Sequence, residues 1–94
     1  IGQLVKLESL NLSDNMINRI PNQINQLKCL KQINLSKNKL TKIPIGICQI
    51  AQLDHLDLSL NQIDEISDYV ESLDCIEINL NENRIRFISD KLSK

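Results

Sequence analysis

Three residue types of a hydrolytic triad occur at alternating positions, as His55, Asp57 and Ser59. Alternate side chains of an extended chain point to one side, so these three share a face. They stand about 6.6 Å apart along a strand, however, and no loop that could form an oxyanion hole accompanies them. We therefore interpret them as surface residues and predict that the chain is not an enzyme.

A metal site is the second chemistry that these residue types suggest, with His55, Asp57 and Glu77 as its ligands. Three ligands on two flat strands seldom converge about 2.1 Å from one point. A weak pair between His55 and Glu77 on adjacent strands is the simpler interpretation. The two glycines, Gly2 and Gly46, form no phosphate-binding loop. We predict neither a metal nor a cofactor.

The composition argues against nucleic acid as a partner and against a transmembrane segment. The 94 residues suffice for one small domain, and their net charge is −1. Bulk positive charge is therefore absent, and two aromatic residues, Tyr69 and Phe87, offer no platform for bases. No apolar run of about 18 residues occurs, so we predict no transmembrane segment and no nucleic-acid partner.

The elements that must position these residues follow from an internal repeat. Four segments fit the pattern L-x-x-L-x-L-x-x-N-x-L, and their asparagines recur at spacings of 23, 23 and 22 residues. The pattern predicts one partial domain over 1–94, with the tail of an earlier repeat at 1–6. Complete repeats follow at 7–29, 30–52 and 53–74, and an incomplete fourth repeat at 75–94. The repeated asparagines are Asn15, Asn38, Asn61 and Asn83.

The first half of each repeat alternates in polarity, as Leu10 and Leu12 do with Asn11 and Ser13. A period of two predicts a short strand with one buried face. Such strands are too short to stand alone, so they must stack in parallel, one per repeat. An asparagine amide has both donors and an acceptor. We therefore predict that the four repeated asparagines form a structural ladder that satisfies backbone groups.

The second half of each repeat changes period. Ile20, Ile24 and Leu27 stand four and three residues apart, which is typical of one face of a short helix or 3₁₀ turn. The next two repeats keep this spacing. Pro21 and Pro44 suit the first turn of such a segment. We predict short helical turns packed against the back of the strand layer.

Together these motifs resemble the leucine-rich repeat family, in particular its short intracellular class. The resemblance implies an α/β solenoid, a right-handed β-α superhelix with parallel strands on its concave face and short helical or 3₁₀ turns on its convex face. It also implies a non-catalytic protein-binding module of an intracellular adaptor or scaffold. The alternative is a set of structural spacer repeats in a larger protein whose function lies elsewhere.

Cysteine usage favours a reducing compartment. The three cysteines, Cys29, Cys48 and Cys75, are odd in number and show no C-x-x-C spacing. Extracellular repeat proteins usually carry disulfide-rich caps, which this sequence lacks. Cys75 occupies a core leucine position, so we expect it to be buried. These features predict a cytoplasmic location.

The outward positions of the strand layer are the candidate binding surface. Leu60 differs most from its equivalents, which are the charged Asp14, Lys37 and Glu82. An apolar residue ringed by polar groups suits the centre of a protein contact. Phe87 also interrupts a charged column, and we expect a further segment to cover it. The candidate partner-binding residues are His55, Asp57, Leu60, Lys37, Glu77 and Glu82. The three predicted exposed columns are Ser9, Gln32, His55, Glu77; Asn11, Asn34, Asp57, Asn79; and Ser13, Ser36, Ser59, Asn81.

Neither end of the sequence carries a recognisable polar capping repeat, which solenoids normally need. Apolar residues of the first and fourth repeats would then face water. We therefore expect the isolated chain to be marginally stable or to self-associate.

Overall fold

The computed structural model describes residues 6–89, and each repeat forms one strand where polarity alternates. The four strands hydrogen-bond in parallel, in chain order, with equivalent residues of successive repeats in register. A second, two-stranded parallel sheet lies further along the third and fourth repeats. The four-stranded sheet contains β1 (Ser9–Asn11), β2 (Gln32–Asn34), β3 (His55–Asp57) and β5 (Glu77–Asn79), and the second sheet contains β4 (Glu65–Ile66) and β6 (Phe87–Ile88).

The opposite side of the molecule consists of short helices, which confirms the predicted solenoid. A first 3₁₀ helix covers Asn22–Gln26, α1 covers Ile45–Cys48, and a second 3₁₀ helix covers Asp68–Ser72. Pro21 and Pro44 stand one residue before their helices in extended backbone, rather than in the first turn as predicted. Within residues 6–89, no helix has the length and apolar character needed to cross a bilayer.

The second sheet was not predicted from the sequence. It pairs Glu65 with Phe87 and Ile66 with Ile88. Its two strands follow the turns after β3 and β5. The sequence there has no alternation of polar and apolar residues that would predict a strand. Phe87 is 57% exposed among residues 6–89, and the further segment that we expect to cover it stays a prediction.

The core lies between the strand layer and the helices of the second and third repeats. Leu30, Ile47 and Leu58 are fully buried in it. Burial falls at the fourth repeat, where Ile78 is 37% exposed although its equivalent Leu56 is 2% exposed. For the same reason Cys75 is only half-buried, which corrects its predicted burial. Full burial is therefore confined to the inner repeats, which have a neighbouring repeat on each side.

Helix α1 approaches the first 3₁₀ helix at Gly46. A Cβ atom at this position would lie 2.8 Å from the carbonyl oxygen of Asn22 and 2.8 Å from Cγ2 of Ile24. Both distances are too short for carbon, and the Asn22 atom belongs to the backbone. Glycine at this position therefore permits the close packing of two successive repeats.

Candidate binding face

The concave face carries the first two predicted columns of outward side chains. It is made of Ser9, Gln32, His55 and Glu77 together with Asn11, Asn34, Asp57 and Asn79, and it borders a shallow hollow of about 520 Å³. Strand register places equivalent members side by side, about 4.8 Å apart. A partner would therefore meet rows of polar side chains held by the sheet.

His55 and Glu77 meet across β3 and β5. Nδ1 of His55 lies 3.2 Å from Oε1 of Glu77, and the two side chains are 46% and 73% exposed. Exposed pairs of this kind contribute little to stability because water competes for both groups. The pair therefore leaves the two side chains accessible to a partner.

The second column caps the turn at the end of each strand. Oδ1 of Asp57 accepts hydrogen bonds from the backbone N–H of Ser59 at 3.0 Å and from its hydroxyl at 2.7 Å. Asn34 binds Ser36 with the same two distances. Ser36 and Ser59 are consequently buried, so the prediction that the third column is exposed is wrong for these two residues.

This capping also determines what His55, Asp57 and Ser59 can do. The hydroxyl of Ser59 donates to Asp57 rather than to His55, and His55 is paired with Glu77. A nucleophile would need the serine to donate to the histidine. Nor does any group of three acidic, histidine or cysteine side chains within 6–89 have an arrangement that could hold a metal ion.

The repeated asparagines lie beneath the turns and join neighbouring repeats. Nδ2 of Asn61 donates to the carbonyl of Leu35 in the preceding repeat at 3.0 Å, and to Leu58 and Ser59 in its own repeat. Its Oδ1 accepts from the N–H of Leu40 at 3.0 Å. One buried amide thus satisfies four backbone groups across two repeats.

Asn38 and Asn83 make the same kind of hydrogen bonds to the repeat that precedes them. Asn38 donates to Leu12 and accepts from Ile17 of the first repeat, and Asn83 bonds the third repeat in the same way. Among the described residues, Asn15 bonds only its own repeat, through Leu12 and Ser13. The ladder therefore runs through residues 15, 38, 61 and 83 at the rim of the strand layer.

A column with left-handed backbone adjoins the concave face. Asp14, Lys37, Leu60 and Glu82 have φ values of 59°, 59°, 57° and 60°. This conformation is energetically unfavourable for most L residues. The backbone N–H of Leu60 nevertheless donates to Asn81 of the next repeat, and its side chain is 45% exposed.

The six candidate residues therefore form two groups. His55, Asp57 and Glu77 lie together on the concave face. Lys37, Leu60 and Glu82 lie in the left-handed column. The sequence does not reveal this backbone conformation, because none of the four residues is the glycine or asparagine that usually marks it.

Cys48 and Cys75 provide no activated nucleophile. Burial raises the pKa of the Cys48 thiol to about 11, and it also raises the pKa of Cys75. Thiols with raised pKa values stay protonated at neutral pH and react slowly. Their side chains pack in or against the core.

Two comparisons with known proteins find similarity to leucine-rich repeats. Residues 5–46 match the family model described as "Leucine Rich repeats (2 copies)". The chain is also similar to a solved leucine-rich repeat protein of Leptospira interrogans, with 37% identity, a TM-score of 0.71 and 90% of this chain covered. It spans only 21% of that protein's chain. No curated protein matches the sequence.

Proposed function

From this leucine-rich repeat solenoid, we propose a non-catalytic protein-binding module of an intracellular, cytoplasmic adaptor or scaffold whose concave face contacts the partner. Leucine-rich repeats are in general protein-interaction modules, which supports the class of function. The observation that carries the proposal is a contrast between two layers of the molecule. The ladder asparagines are the same in all four repeats, whereas the exposed first column changes from Ser9 to Gln32, His55 and Glu77.

That contrast separates the two functions that the sequence left open. A spacer needs only the buried layer, because its exposed side chains contact water alone. A binding surface needs different side chains at different points, since specificity arises from local complementarity. The variable column therefore favours binding over a spacer role.

Leu60 provides further support. It is an exposed apolar side chain beside a polar face, and the equivalent residues in the other repeats are charged. Apolar side chains that lose their water at the centre of an interface supply much of the binding free energy. We assign Leu60 to the contact, with Lys37 and Glu82 as its charged neighbours in the left-handed column.

The concave face can be compared in area with a standard protein interface. Four strands span about 15 Å across the ladder, whereas a standard interface buries about 800 Å² on each partner. The concave face alone is too small for that area. The left-handed column therefore belongs to the same binding surface.

The intracellular part of the proposal rests on the sequence. The cysteines form no disulfide among residues 6–89. The third and fourth repeats, with Asp57-Leu58-Ser59 and Asn79-Leu80-Asn81, also resemble leucine-rich repeat-containing protein 57. That resemblance implies a binding protein without catalytic residues.

The test compares partner capture by the unaltered protein with capture by a variant carrying Leu60→Asp and His55→Ala. Ile45→Asp is the matched control, because Ile45 is also a half-exposed aliphatic residue but begins α1 on the convex side. We expect the double variant to lose its partner and the control to keep it. Circular dichroism checks that each variant folds.

Retention of every partner by the folded double variant would contradict the proposal. The concave face would then be idle, and a spacer role or a convex contact would explain the molecule better. Loss in the Ile45→Asp control alone would specifically indicate the convex side.

A further inference from the structure

Asp57 carries a charge that its turn does not need. Asn34 makes the same turn in the preceding repeat, with hydrogen bonds of 3.0 and 2.7 Å to the following serine, and Asp57 repeats both distances. Asn11 does the same in the first repeat. A neutral amide oxygen makes the same cap with the same distances, so the turn does not require the negative charge of Asp57.

That charge lies on the concave face and has no ion-pair partner among residues 6–89. Of the residues that border the hollow, the two acids are Asp57 and Glu77, and none is lysine or arginine. His55 directs its Nδ1 at Glu77 rather than at Asp57. Oδ2 of Asp57 has no hydrogen-bond partner within residues 6–89. The two carboxylates that border the hollow therefore lie on neighbouring strands, Asp57 on β3 and Glu77 on β5.

The rest of the face offers hydrogen-bond donors. Asn11, Asn34 and Asn79 each use Oδ1 for the turn, and their Nδ2 groups remain as donors. Register places Asn34 and Asn79 on either side of Asp57. Amide donors in a row suit the carbonyl oxygens of an extended peptide, whereas a carboxylate suits a cationic side chain.

We propose that the concave face binds an extended segment of a partner protein whose arginine or lysine side chain lies against Asp57 and Glu77. The inference rests on the proposed binding function and adds the chemistry of the partner. Charge complementarity selects the occupant, because a cation would replace water on two carboxylates, and no lysine or arginine borders the hollow. An acidic segment would be repelled at the same place.

Two synthetic heptapeptides test this, Ser-Gly-Ser-Arg-Ser-Gly-Ser and the same peptide with citrulline in place of arginine. Each is titrated into the ¹⁵N-labelled chain at low salt while backbone amide shifts are recorded. We expect the arginine peptide to bind at least about threefold more tightly, the size of effect typical of one exposed charge pair. The shifts should centre on residues 55–59 and 77–79.

Asp57→Asn is the decisive variant, because asparagine already makes this cap in three repeats. We expect it to keep the unfolding midpoint and to lose the preference for arginine over citrulline. Asp74→Asn is the matched control, since it removes the same charge at an exposed position that does not border the hollow. It should keep the preference.

An arginine preference that survives Asp57→Asn, or shifts that centre outside the concave face, would overturn the inference. Its failure is distinguishable from failure of the binding function. Suppose that neither peptide changes the amide shifts of the concave face, while the variant with Leu60→Asp and His55→Ala still loses the partner. The binding function then stands, and a cationic partner segment is excluded. If the partner is also retained, both proposals fall.

Discussion

Asn61 joins two repeats through a single buried side chain. Its amide bonds Leu35 and Leu40 of the preceding repeat as well as two carbonyls of its own. Removing the amide would leave buried backbone groups without partners, each at a cost of about 1–3 kcal/mol. The ladder therefore ties the repeats together at their rim, where no apolar contact could satisfy these groups.

We predict that Asn61→Ala lowers the free energy of unfolding by about 3 kcal/mol or more. Asn15→Ala is the control, because Asn15 is exposed and its hydrogen bonds within residues 6–89 stay in its own repeat. It should cost about 1 kcal/mol or less. Urea denaturation measures both values, and equal losses would contradict the role assigned to the contacts between repeats.

Lys37 tests the left-handed column. Its φ is 59° and its side chain is exposed. A substitution therefore loses little packing, and the change in backbone strain dominates its effect on stability. Because asparagine adopts this conformation more readily, we predict that Lys37→Asn raises the free energy of unfolding by about 0.5–1 kcal/mol. Lys39→Asn, two residues on at an exposed position without positive φ, should give no gain. Equal effects at the two positions would contradict the assignment.

The sequence was informative about most individual residues. Alternation placed the first two columns on one face, because the period of a strand is fixed by backbone geometry. It misplaced Ser36 and Ser59, because the chain leaves the strand before them and the turn draws their hydroxyls onto Asn34 and Asp57. Local hydrogen bonding overrides periodicity at such a point.

At the scale of elements, the strands form where the repeat predicts them, and the helices vary in type. The convex segments are 3₁₀ helices in two repeats and a single α-helical turn at Ile45–Cys48. Short helices have little stability of their own, so packing decides their form. The β4–β6 sheet escaped prediction because two-residue strands have too few residues to show a period.

Gly46→Ala tests the packing of these convex elements. Alanine favours helix by about 1 kcal/mol over glycine, but its Cβ would meet backbone of the first 3₁₀ helix at 2.8 Å. We predict that overpacking dominates and that the variant loses about 1–3 kcal/mol of stability. Thermal unfolding followed by circular dichroism measures this. An unchanged or higher midpoint would show that the two helices can separate without cost.

At the scale of the whole molecule, burial is greatest in the middle of the stack and decreases towards its ends. Ile88 of the fourth repeat is 56% exposed, while its equivalents Ile43 and Ile66 in inner repeats are 2% and 8% exposed. Stability in such arrays arises from the interfaces between neighbouring repeats. The self-association expected of the isolated chain stays a prediction.

The central claim is that a partner protein occupies the concave side. Gln32 and Gln26 are both exposed glutamines, the first on the concave face and the second in a convex 3₁₀ helix. Each is replaced in turn by a photoreactive benzophenone amino acid, and the protein is irradiated with its captured partner. Our account predicts a cross-link from position 32 and none from position 26. A cross-link from position 26 alone would contradict it.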